Sequence, residues 1–245
     1  MTTRAEFFDR LRAEIVRARE LFPARVSERP AHPRLLLDTL RRELSERWPQ
    51  TLEHFRREFE RVGGVFHRVS QVSDVPPVVG AIASQRGARR LVTWHPEALG
   101  ADLGGPLAGH DLQVDVMPGE PTNGGHAELR DRIAAAEIGL TGVDVAIAET
   151  GSLVLLSGVG RPRSTALLPP CHVAVFDRTA LVESLQQMGL VLEAWHEGTA
   201  PAERGAAIHV ITGPSRTADI ELTLTRGVHG PGEVHAIFVD RPWHG

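Results

Sequence analysis

Two residue types that many enzyme mechanisms need are missing from this chain. All 27 basic residues are arginine, so there is no lysine, and there is no tyrosine either. The absence of lysine excludes a Schiff-base lysine, a P-loop lysine and a kinase lysine, and the absence of tyrosine excludes a tyrosine general acid. We interpret the use of arginine in place of lysine as a bias of genomic composition.

Cysteine is nearly absent as well, because Cys171 is the only one. A single cysteine excludes an internal disulfide, and it excludes an iron–sulfur cluster held by this chain alone, which needs several thiolates. The first residues, MTTRAEFFDRLRAEIVRA, lack the apolar core of a signal peptide, and no later window reaches the length of a membrane span. We therefore expect a cytoplasmic protein with no membrane span.

Length and charge limit the fold and the partners. With 245 residues and 42% hydrophobic content, the chain can bury one substantial core, which favours one main α/β domain with appendages. The formal net charge is −4, from 31 acidic and 27 basic residues. This balance argues against a nucleic-acid-binding protein that works through a broad basic surface.

The first quarter of the chain has two charged helical patterns. Apolar residues recur at intervals of three and four over residues 4–21, and a second helix is predicted over about residues 35–61, with a bend near Pro49. We assign residues 1–62 to an N-terminal helical extension, which packs either on the domain or on another subunit. Residues 63–245 are assigned to the α/β domain.

Strand and helix patterns alternate through the α/β domain. A helix is predicted to start near Pro76, and further helices cover residues 127–139 and 179–188, followed by a polar linker over about residues 196–204. The predicted strands cover about residues 65–69, 90–94, 112–116, 143–148, 153–157, 172–176, 207–212 and 234–239. This alternation predicts an α/β fold with a mostly parallel sheet flanked by helices.

A first candidate site follows an apolar strand pattern. Glu149 falls at the end of that strand, and Thr150, Gly151 and Ser152 form a tight turn into the next strand. A carboxylate beside a glycine, which lets a ligand approach the backbone, suits a nucleophile, a general acid or a substrate anchor. An equally good interpretation is a turn carboxylate that caps backbone amides.

The loop GRPRST follows the second strand of this pair. Arg161, Arg163 and Ser164 form a compact group of cationic and hydroxyl donors, which favours a carboxylate or phosphate ligand. His172, after a pair of prolines, is interpreted as structural more readily than as a base. Cys171 has no pattern that would activate a thiolate, and we interpret it as a buried, inert thiol.

A second candidate site follows a later strand, in ITGPSRTADIE. A short helical turn beginning near Pro214 would direct free amides, hydroxyl groups and a guanidinium toward an anion. Nearby, His229 is a candidate loop donor in GVHGPGEVH. Two carboxylates in this segment are interpreted as salt-bridge partners of the arginine rather than as metal ligands. The candidate residues are Gly213, Pro214, Ser215, Arg216, Thr217 and Asp219.

Motifs for metals and nucleotides were also considered. The spacing between His229 and His235 matches no zinc signature, so no metal site is predicted. The glycine-rich stretches near residues 100–105 and 119–125 lack the GxGxxG spacing of a dinucleotide site.

The candidate segments together resemble a known family. AETGSLVLLS, GRPRSTALLPPCHVAVFD, ITGPSRTADIELTLTRGVHGP and VHAIFVD are similar to the LutC/YkgG family, lactate utilization protein C, in the LUD domain group. The resemblance covers chiefly residues 127–240 and implies an α/β fold similar to the NagB/RpiA/CoA-transferase type. It further implies a role in the oxidation of L-lactate to pyruvate, together with LutA-like and LutB-like iron–sulfur subunits.

These observations lead to one main hypothesis and two alternatives. The main hypothesis is a subunit of a lactate-oxidising complex, whose two arginine-bearing loops bind an anionic small molecule near Glu149. By analogy with CoA-transferases, which use a glutamate at a strand end as nucleophile, the chain is alternatively a stand-alone CoA-transferase-like or sugar-phosphate isomerase-like enzyme using Glu149. The third hypothesis is a non-catalytic assembly subunit that docks through residues 4–61. Cofactor use, including flavin, stays open, and no iron–sulfur cluster is expected in this chain.

Overall fold

The structure is a computed structural model, and it describes residues 4–21, 30–120, 125–197, 207–218 and 224–243. Within these ranges the helices are α1 (Arg4–Leu21), α2 (Pro33–Arg61), α3 (Val75–Arg86), α4 (Pro96–Leu99), α5 (Gly104–Ala108), α6 (His126–Ala134), α7 (Ser164–Leu167) and α8 (Leu185–His196). The strands are β1 (Val65–Val69), β2 (Arg90–Thr93), β3 (Gln113–Val116), β4 (Ile138–Gly142), β5 (Val145–Ile147), β6 (Ser152–Leu156), β7 (Cys171–Asp177), β8 (Leu181–Val182), β9 (Ile208–Ile211), β10 (Arg216–Ala218), β11 (Leu224–Arg226) and β12 (Glu233–Val239).

Six parallel strands form the main sheet, in the spatial order β1-β12-β7-β4-β2-β3. The inner strands β7 and β12 read CHVAVFD and EVHAIFV, and almost every residue in them is buried because both faces of the sheet are covered. The prediction of an α/β fold with a mostly parallel sheet flanked by helices is confirmed. The closer likeness to the NagB/RpiA/CoA-transferase type stays a prediction.

A second sheet, with the strand order β8-β5-β6-β9, packs between one face of the main sheet and the helices α2 and α8. Strand β6 is antiparallel to both of its neighbours. Because successive side chains of a strand point to opposite faces, Ala146 packs with Phe176 and Phe238 of the main sheet, whereas Val145 packs with Leu44 of α2. The sequence did not predict that these strands form a sheet of their own.

Helix α2 contributes to the core of the domain. Phe55 and Phe59 are fully buried, and the Phe55 ring centroid lies 5.3 Å from that of Phe176 in the main sheet. Of the two arrangements considered for this helix, packing on the domain is the one observed. The domain boundary at residue 62 stays a prediction. Residues of α2 lie on one side of this boundary and pack on residues of the α/β domain on the other side. No helix in the described part of the chain is long and apolar enough to cross a membrane.

The helix predicted over residues 127–139 was too long. Helix α6 ends at Ala134, and the following segment is the buried strand β4, which pairs with β2 and β7. Gly139 therefore lies inside a strand and does not stop a helix. A Cβ atom at this position would overlap the carbonyl oxygen of Thr165, so the glycine allows α7 to pack directly on β4.

The helix predicted over residues 179–188 was displaced. The chain first forms the two-residue strand β8, and α8 then runs from Leu185 to His196, through the start of the predicted polar linker. The hydroxyl of Ser184 explains the later start, because it accepts a hydrogen bond from the Gln187 amide and caps the first turn of α8.

Candidate functional site

A cavity of about 520 Å³ lies where β2, β4 and β7 of the main sheet end. The carboxyl ends of parallel strands are the usual place for a ligand in α/β proteins. The two walls beyond the sheet come from helices α2 and α8. The residues that line the cavity are Arg41, Trp94, Ala98, Gly142, Val143, Asp144, Arg161, Asp177, Thr179, Ala180 and Trp195.

The first carboxylate of the cavity, Asp177, serves to hold the local structure. One of its oxygens, Oδ1, accepts hydrogen bonds from the Thr179 amide at 2.8 Å and from the Thr179 hydroxyl at 2.5 Å. The other oxygen, Oδ2, accepts a hydrogen bond from the Trp243 amide at 3.1 Å. Three donors therefore already satisfy this carboxylate.

The second carboxylate, Asp144, is also engaged by the protein. Its Oδ1 lies 3.0 Å from Nη1 of Arg161, and its Oδ2 accepts a hydrogen bond of 2.6 Å from the Leu156 amide. This ion pair fastens the loop after β6 to the segment that joins β4 to β5. It also directs the guanidinium of Arg161 to the wall of the cavity, where only part of its five N–H donors is used.

A second guanidinium of the cavity, Arg41, has no partner among the described residues. It is exposed on α2 and makes no ion pair or side-chain hydrogen bond there. Trp94 also lines the cavity, but its indole Nε1 is buried away from the open space and has no hydrogen-bond acceptor among the described residues. A buried donor without an acceptor costs roughly 1–3 kcal/mol.

The balance of satisfied and unsatisfied groups indicates which ligand the cavity suits. Asp144 and Asp177 accept hydrogen bonds within the protein, whereas Arg41 and Arg161 retain N–H donors on the cavity wall. Guanidinium donors of this kind can bind a ligand that offers acceptor oxygens.

Glu149, the predicted catalytic residue, lies away from this cavity. Its side chain is exposed, and Oε2 accepts a hydrogen bond of 2.9 Å from the amide of Leu185, the first residue of α8. This is the capping role that the sequence allowed as an alternative, and a negative charge at a helix start is favourable. Whether Glu149 also takes part in a reaction stays a prediction.

The turn after Glu149 is connected to the second candidate segment. Ser152 Oγ lies 2.7 Å from Thr150 Oγ1 and 2.7 Å from Thr212 Oγ1. The three hydroxyl groups form a hydrogen-bonded chain. Gly151 has a φ of +60°, and a Cβ atom there would overlap the backbone of Phe59. Because Gly151 has no side chain, the backbone of α2 packs directly against this turn.

The loop GRPRST is divided in the structure. Arg161 reaches the cavity, whereas Arg163 lies close enough to His209 on β9 to lower the pKa of that imidazole, after the larger effect of burial. Ser164 begins the short helix α7, and its carbonyl oxygen accepts the Leu168 amide. The three predicted donors therefore do not converge on one point.

The second candidate segment packs at the end of α2. Gly213 has a φ of +72°, and a Cβ atom there would lie 2.6 Å from the carbonyl oxygen of Val62. Pro214 is buried beside it, and the guanidinium of Arg216 donates a hydrogen bond to the same Val62 oxygen. This arginine thus satisfies a carbonyl at the C-terminal end of a helix, where a cation is favourable.

No helical turn begins at Pro214, contrary to the prediction. The chain forms β10, which pairs with β11 in a two-stranded antiparallel sheet that includes Thr217. Without a helix start, the predicted set of converging free amides is lost. Asp219 lies outside the described residues.

Ser215 and His229 are brought together, as neighbours in one loop cluster. Ser215 Oγ accepts a hydrogen bond of 3.3 Å from the His229 amide, and the Ser215 amide donates to the carbonyl oxygen of Pro231. Since Pro231 lies two residues before the start of β12, this cluster lies near the amino ends of the main-sheet strands. The exposed ring of His229 is free of described hydrogen bonds in this arrangement.

The predicted residues therefore fall into two separate groups. The turn at Glu149 and the loop at Gly213 meet at the end of α2, whereas Arg161 lies at the opposite end of β6. Strand β6 has five residues, which corresponds to a separation of roughly 17 Å. The structure does not bring Glu149 and Arg161 into one site.

Most of the residues that line the cavity were not selected as candidates in the sequence analysis. Trp94, Gly142 and Asp177 come directly after or at the ends of β2, β4 and β7, where a ligand is expected in a parallel sheet. Applying that rule to every predicted strand would have selected Trp94 and Asp177. Gly142 was missed because β4 was not predicted, and the first two residues of this strand were assigned to a helix.

Cys171 and His172 are buried at the start of β7. Burial raises the pKa of the Cys171 thiol to about 11 and lowers the pKa of His172 to about 3. The Nε2 atom of His172 lies 2.8 Å from Thr141 Oγ1, and its Nδ1 has no partner among the described residues. A protonated thiol and a neutral, buried imidazole agree with the structural roles expected for both residues.

Comparison with known proteins identifies the family. The model of the LUD domain family matches residues 52–239. Lactate utilization protein C of Halalkalibacterium halodurans is 34% identical over 174 residues, which cover 70% of this chain and 71% of that protein. Lactate utilization protein C of Macrococcus caseolyticus is 31% identical over 172 residues, which cover 68% of each chain. A crystal structure of a DUF162 family protein from Deinococcus radiodurans is 25% identical, covers 78% of this chain and 97% of that one, and has a TM-score of 0.49.

The matched region includes the last ten residues of α2, both candidate segments and the cavity strands. It agrees with the resemblance found in the sequence motifs, and it extends that resemblance toward the N-terminus as far as residue 52. The chain therefore belongs to the LUD domain family, in the group of lactate utilization protein C.

Proposed function

We propose that this chain is a subunit of a lactate utilization complex that oxidises L-lactate to pyruvate, and that its cavity binds an anionic small molecule. The relatives named lactate utilization protein C support the metabolic context. The observation that carries the binding role is the pair of guanidinium groups, Arg41 and Arg161, that retain N–H donors around one cavity.

The chemistry of the two carboxylic acids agrees with this cavity. L-lactate and pyruvate each carry a carboxylate, which a guanidinium binds through two parallel hydrogen bonds. The volume of about 520 Å³ is within the usual range of small-molecule sites, roughly 300–1,000 Å³, and also admits a larger anion.

The reaction requires partners that accept electrons. Oxidation of lactate to pyruvate releases two electrons and two protons, and this chain has one cysteine, too few for an iron–sulfur cluster of its own. We therefore propose that LutA-like and LutB-like iron–sulfur subunits take up the electrons. The chain described here would hold an anionic substrate, product or effector close to them.

A binding measurement with matched arginine variants tests the role of the cavity. Isothermal titration of the purified chain with L-lactate, pyruvate and inorganic phosphate would be compared for wild type, Arg41→Ala and Arg42→Ala. Both arginines are exposed on α2, but only Arg41 lines the cavity. We expect Arg41→Ala to weaken binding of the preferred anion at least tenfold, since charge-assisted hydrogen bonds contribute about 1.5–3 kcal/mol. Equal affinities for both variants would refute the assignment.

A growth experiment tests the metabolic role. Deletion of the gene in its native host should abolish growth with L-lactate as sole carbon source while growth on pyruvate continues. Complementation by wild type and by Arg42→Ala should restore growth, and complementation by an Arg41→Ala, Arg161→Ala double variant should not. Normal growth of the deletion strain on L-lactate would contradict the proposed function.

An assembly role for the first helix is favoured by a separate observation. Three apolar side chains of α1 are largely exposed, at 56% for Phe7, 39% for Phe8 and 45% for Leu11. An exposed apolar group of this kind is typical of a surface that another protein covers. Removal of residues 1–31 leaves α2 and its buried phenylalanines in place. Loss of co-purifying iron–sulfur subunits from that truncated chain would support docking through α1, and their retention would exclude it.

A further inference from the structure

A cluster of metal-binding side chains lies at the amino edge of the main sheet, away from the cavity. Cys171 is the first residue of β7, and Glu233 is the first residue of β12. The two are paired in register across these adjacent parallel strands. His235 follows two residues after Glu233, so its side chain is on the same face of the sheet.

The three side chains place different ligand atoms close to one another. A sulfur of Cys171, a carboxylate oxygen of Glu233 and a ring nitrogen of His235 all lie within 4.8 Å of one another. In a tetrahedral zinc site, bond lengths of about 2.0–2.3 Å put the ligand atoms roughly 3.5 Å apart. Small side-chain movements are therefore enough to bring these atoms to a common ion.

The surroundings of the cluster are already those of a supported ligand set. His235 Nδ1 lies 2.9 Å from Nε2 of His67 on β1, to which it can donate its proton. The other ring nitrogen, Nε2, lies 2.7 Å from Glu233 Oε1, and it binds an ion when this contact opens to admit the ion. Arg86, in the last turn of α3, donates to the other carboxylate oxygen of Glu233. Hydrogen-bonded partners of this kind orient the residues that bind a metal and fix the tautomer of a ligating histidine.

We propose that Cys171, Glu233 and His235 bind one divalent transition-metal ion, with Zn²⁺ as the ion that this sulfur, nitrogen and oxygen donor set suits best. His67 and Arg86 hold the histidine and the carboxylate in place. The thiolate and the carboxylate together balance the two positive charges of the ion. The ion joins the starts of β7 and β12, two adjacent inner strands of the sheet.

A role as a metal ligand explains this cysteine better than a role as a nucleophile. Cys171 is fully buried at the start of β7, so a substrate does not reach its sulfur, and it lies in register with Glu233 on β12. A metal ion bound there displaces the thiol proton, because the thiolate is the form that binds metals.

Cobalt substitution tests the proposal directly. The full-length chain would be freed of metal with a chelator and titrated with CoCl₂ and, separately, with ZnCl₂. Absorption in the near ultraviolet from thiolate-to-cobalt charge transfer reports a cobalt–sulfur bond, and Cys171 is the only thiol in the chain. We expect one cobalt ion per chain with this absorption, and we expect one equivalent of zinc to abolish it.

Three variants and one control locate the ion. Cys171→Ser should remove the charge-transfer absorption, and His235→Gln and Glu233→Gln should weaken metal binding roughly 10–100-fold or more. The control is His196→Ala, an exposed histidine in the last turn of α8. If Cys171→Ser fails to fold because this position is buried, Glu233→Gln still tests the proposal, since the Glu233 side chain is partly exposed. Absence of the absorption in wild type, or equal cobalt affinity of Glu233→Gln and His196→Ala, would overturn the proposal.

Discussion

Replacing Phe59 by alanine should destabilise the whole domain, although this residue lies on a helix that the sequence assigns to an N-terminal extension. Phe59 is fully buried in the core that joins α2 to both sheets, and its ring centroid lies 5.4 Å from that of Phe55. A phenylalanine buries roughly 150–200 Å². At about 25 cal/mol per Å² this burial corresponds to roughly 4–5 kcal/mol.

Measured phenylalanine-to-alanine substitutions in protein cores cost about 3–5 kcal/mol, which agrees with this value. For a chain of this length the loss corresponds to a decrease of roughly 6–20 °C in melting temperature. Urea unfolding followed by far-ultraviolet circular dichroism would measure the free energy of unfolding. The control is Leu35→Ala on the same helix, where the side chain is 63% exposed and a change within about 0.5 kcal/mol is expected. A loss below about 1 kcal/mol for Phe59→Ala would refute the packing of α2 on the domain.

Three further predictions concern packing, capping and pH. Gly139→Ala should lower the free energy of unfolding by about 1–3 kcal/mol or more, because the new Cβ atom overlaps the Thr165 carbonyl oxygen. The control is Gly189→Ala on α8, where the new Cβ atom meets open space, and this variant should be more stable than wild type in the same unfolding assay. Glu149→Ala should lower the free energy of unfolding by about 1 kcal/mol, and Glu149→Gln, which keeps an acceptor for the first amide of α8, should recover most of it. If the chain is instead a stand-alone CoA-transferase-like or sugar-phosphate isomerase-like enzyme, Glu149→Gln abolishes a turnover that wild type shows with acyl-CoA or sugar-phosphate substrates. Burial lowers the pKa of His172 to about 3 and that of His235 to about 4, while both titrate near 6.5 in the unfolded chain. The unfolded chain then binds more protons below pH 6.5, so each histidine should contribute a loss of roughly 2 kcal/mol of stability from pH 8 to pH 5. The loss would be measured with chelator present, and an unchanged unfolding midpoint would contradict it.

Most strands of the main sheet were predictable because they have a strong local pattern. β7 and β12 consist mostly of apolar residues, which is typical of strands that are covered on both faces. The strand β4 was missed because its sequence, IGLTG, has two glycines and follows alanine-rich helix formers. The reason for Gly139 lies in α7, which is distant in the sequence and packs on β4. Such a requirement of tertiary packing leaves no local signal.

The candidate site was only partly predictable, for a similar reason. Arg161 was selected as an anion-binding residue and lies at the cavity, but its partners Trp94 and Asp177 come from other strands. The spatial order of the strands, which the sequence pattern does not reveal, brings them together. Glu149 and Arg161 are near one another in the sequence, yet the hairpin of β5 and β6 places them at opposite ends.

The metal-binding cluster was hidden from the sequence in the same way. Cys171 and Glu233 are far apart in the chain and become neighbours only through the register of β7 and β12. The histidine spacing that was considered for zinc, between His229 and His235, involves one residue of this cluster and one exposed loop residue. Short-range spacing rules describe zinc sites on loops and hairpins, whereas ligands from parallel strands are separated by whole crossover connections.

The measurement that tests the central claim most directly is a crystal structure of the protein grown with the anion that binds it most tightly in solution. The account predicts electron density for that anion in the cavity at the ends of β2, β4 and β7, with its oxygens in contact with the guanidinium groups of Arg41 and Arg161. Density for the anion between the turn at Glu149 and the loop at Ser215, with none in the cavity, would contradict the account.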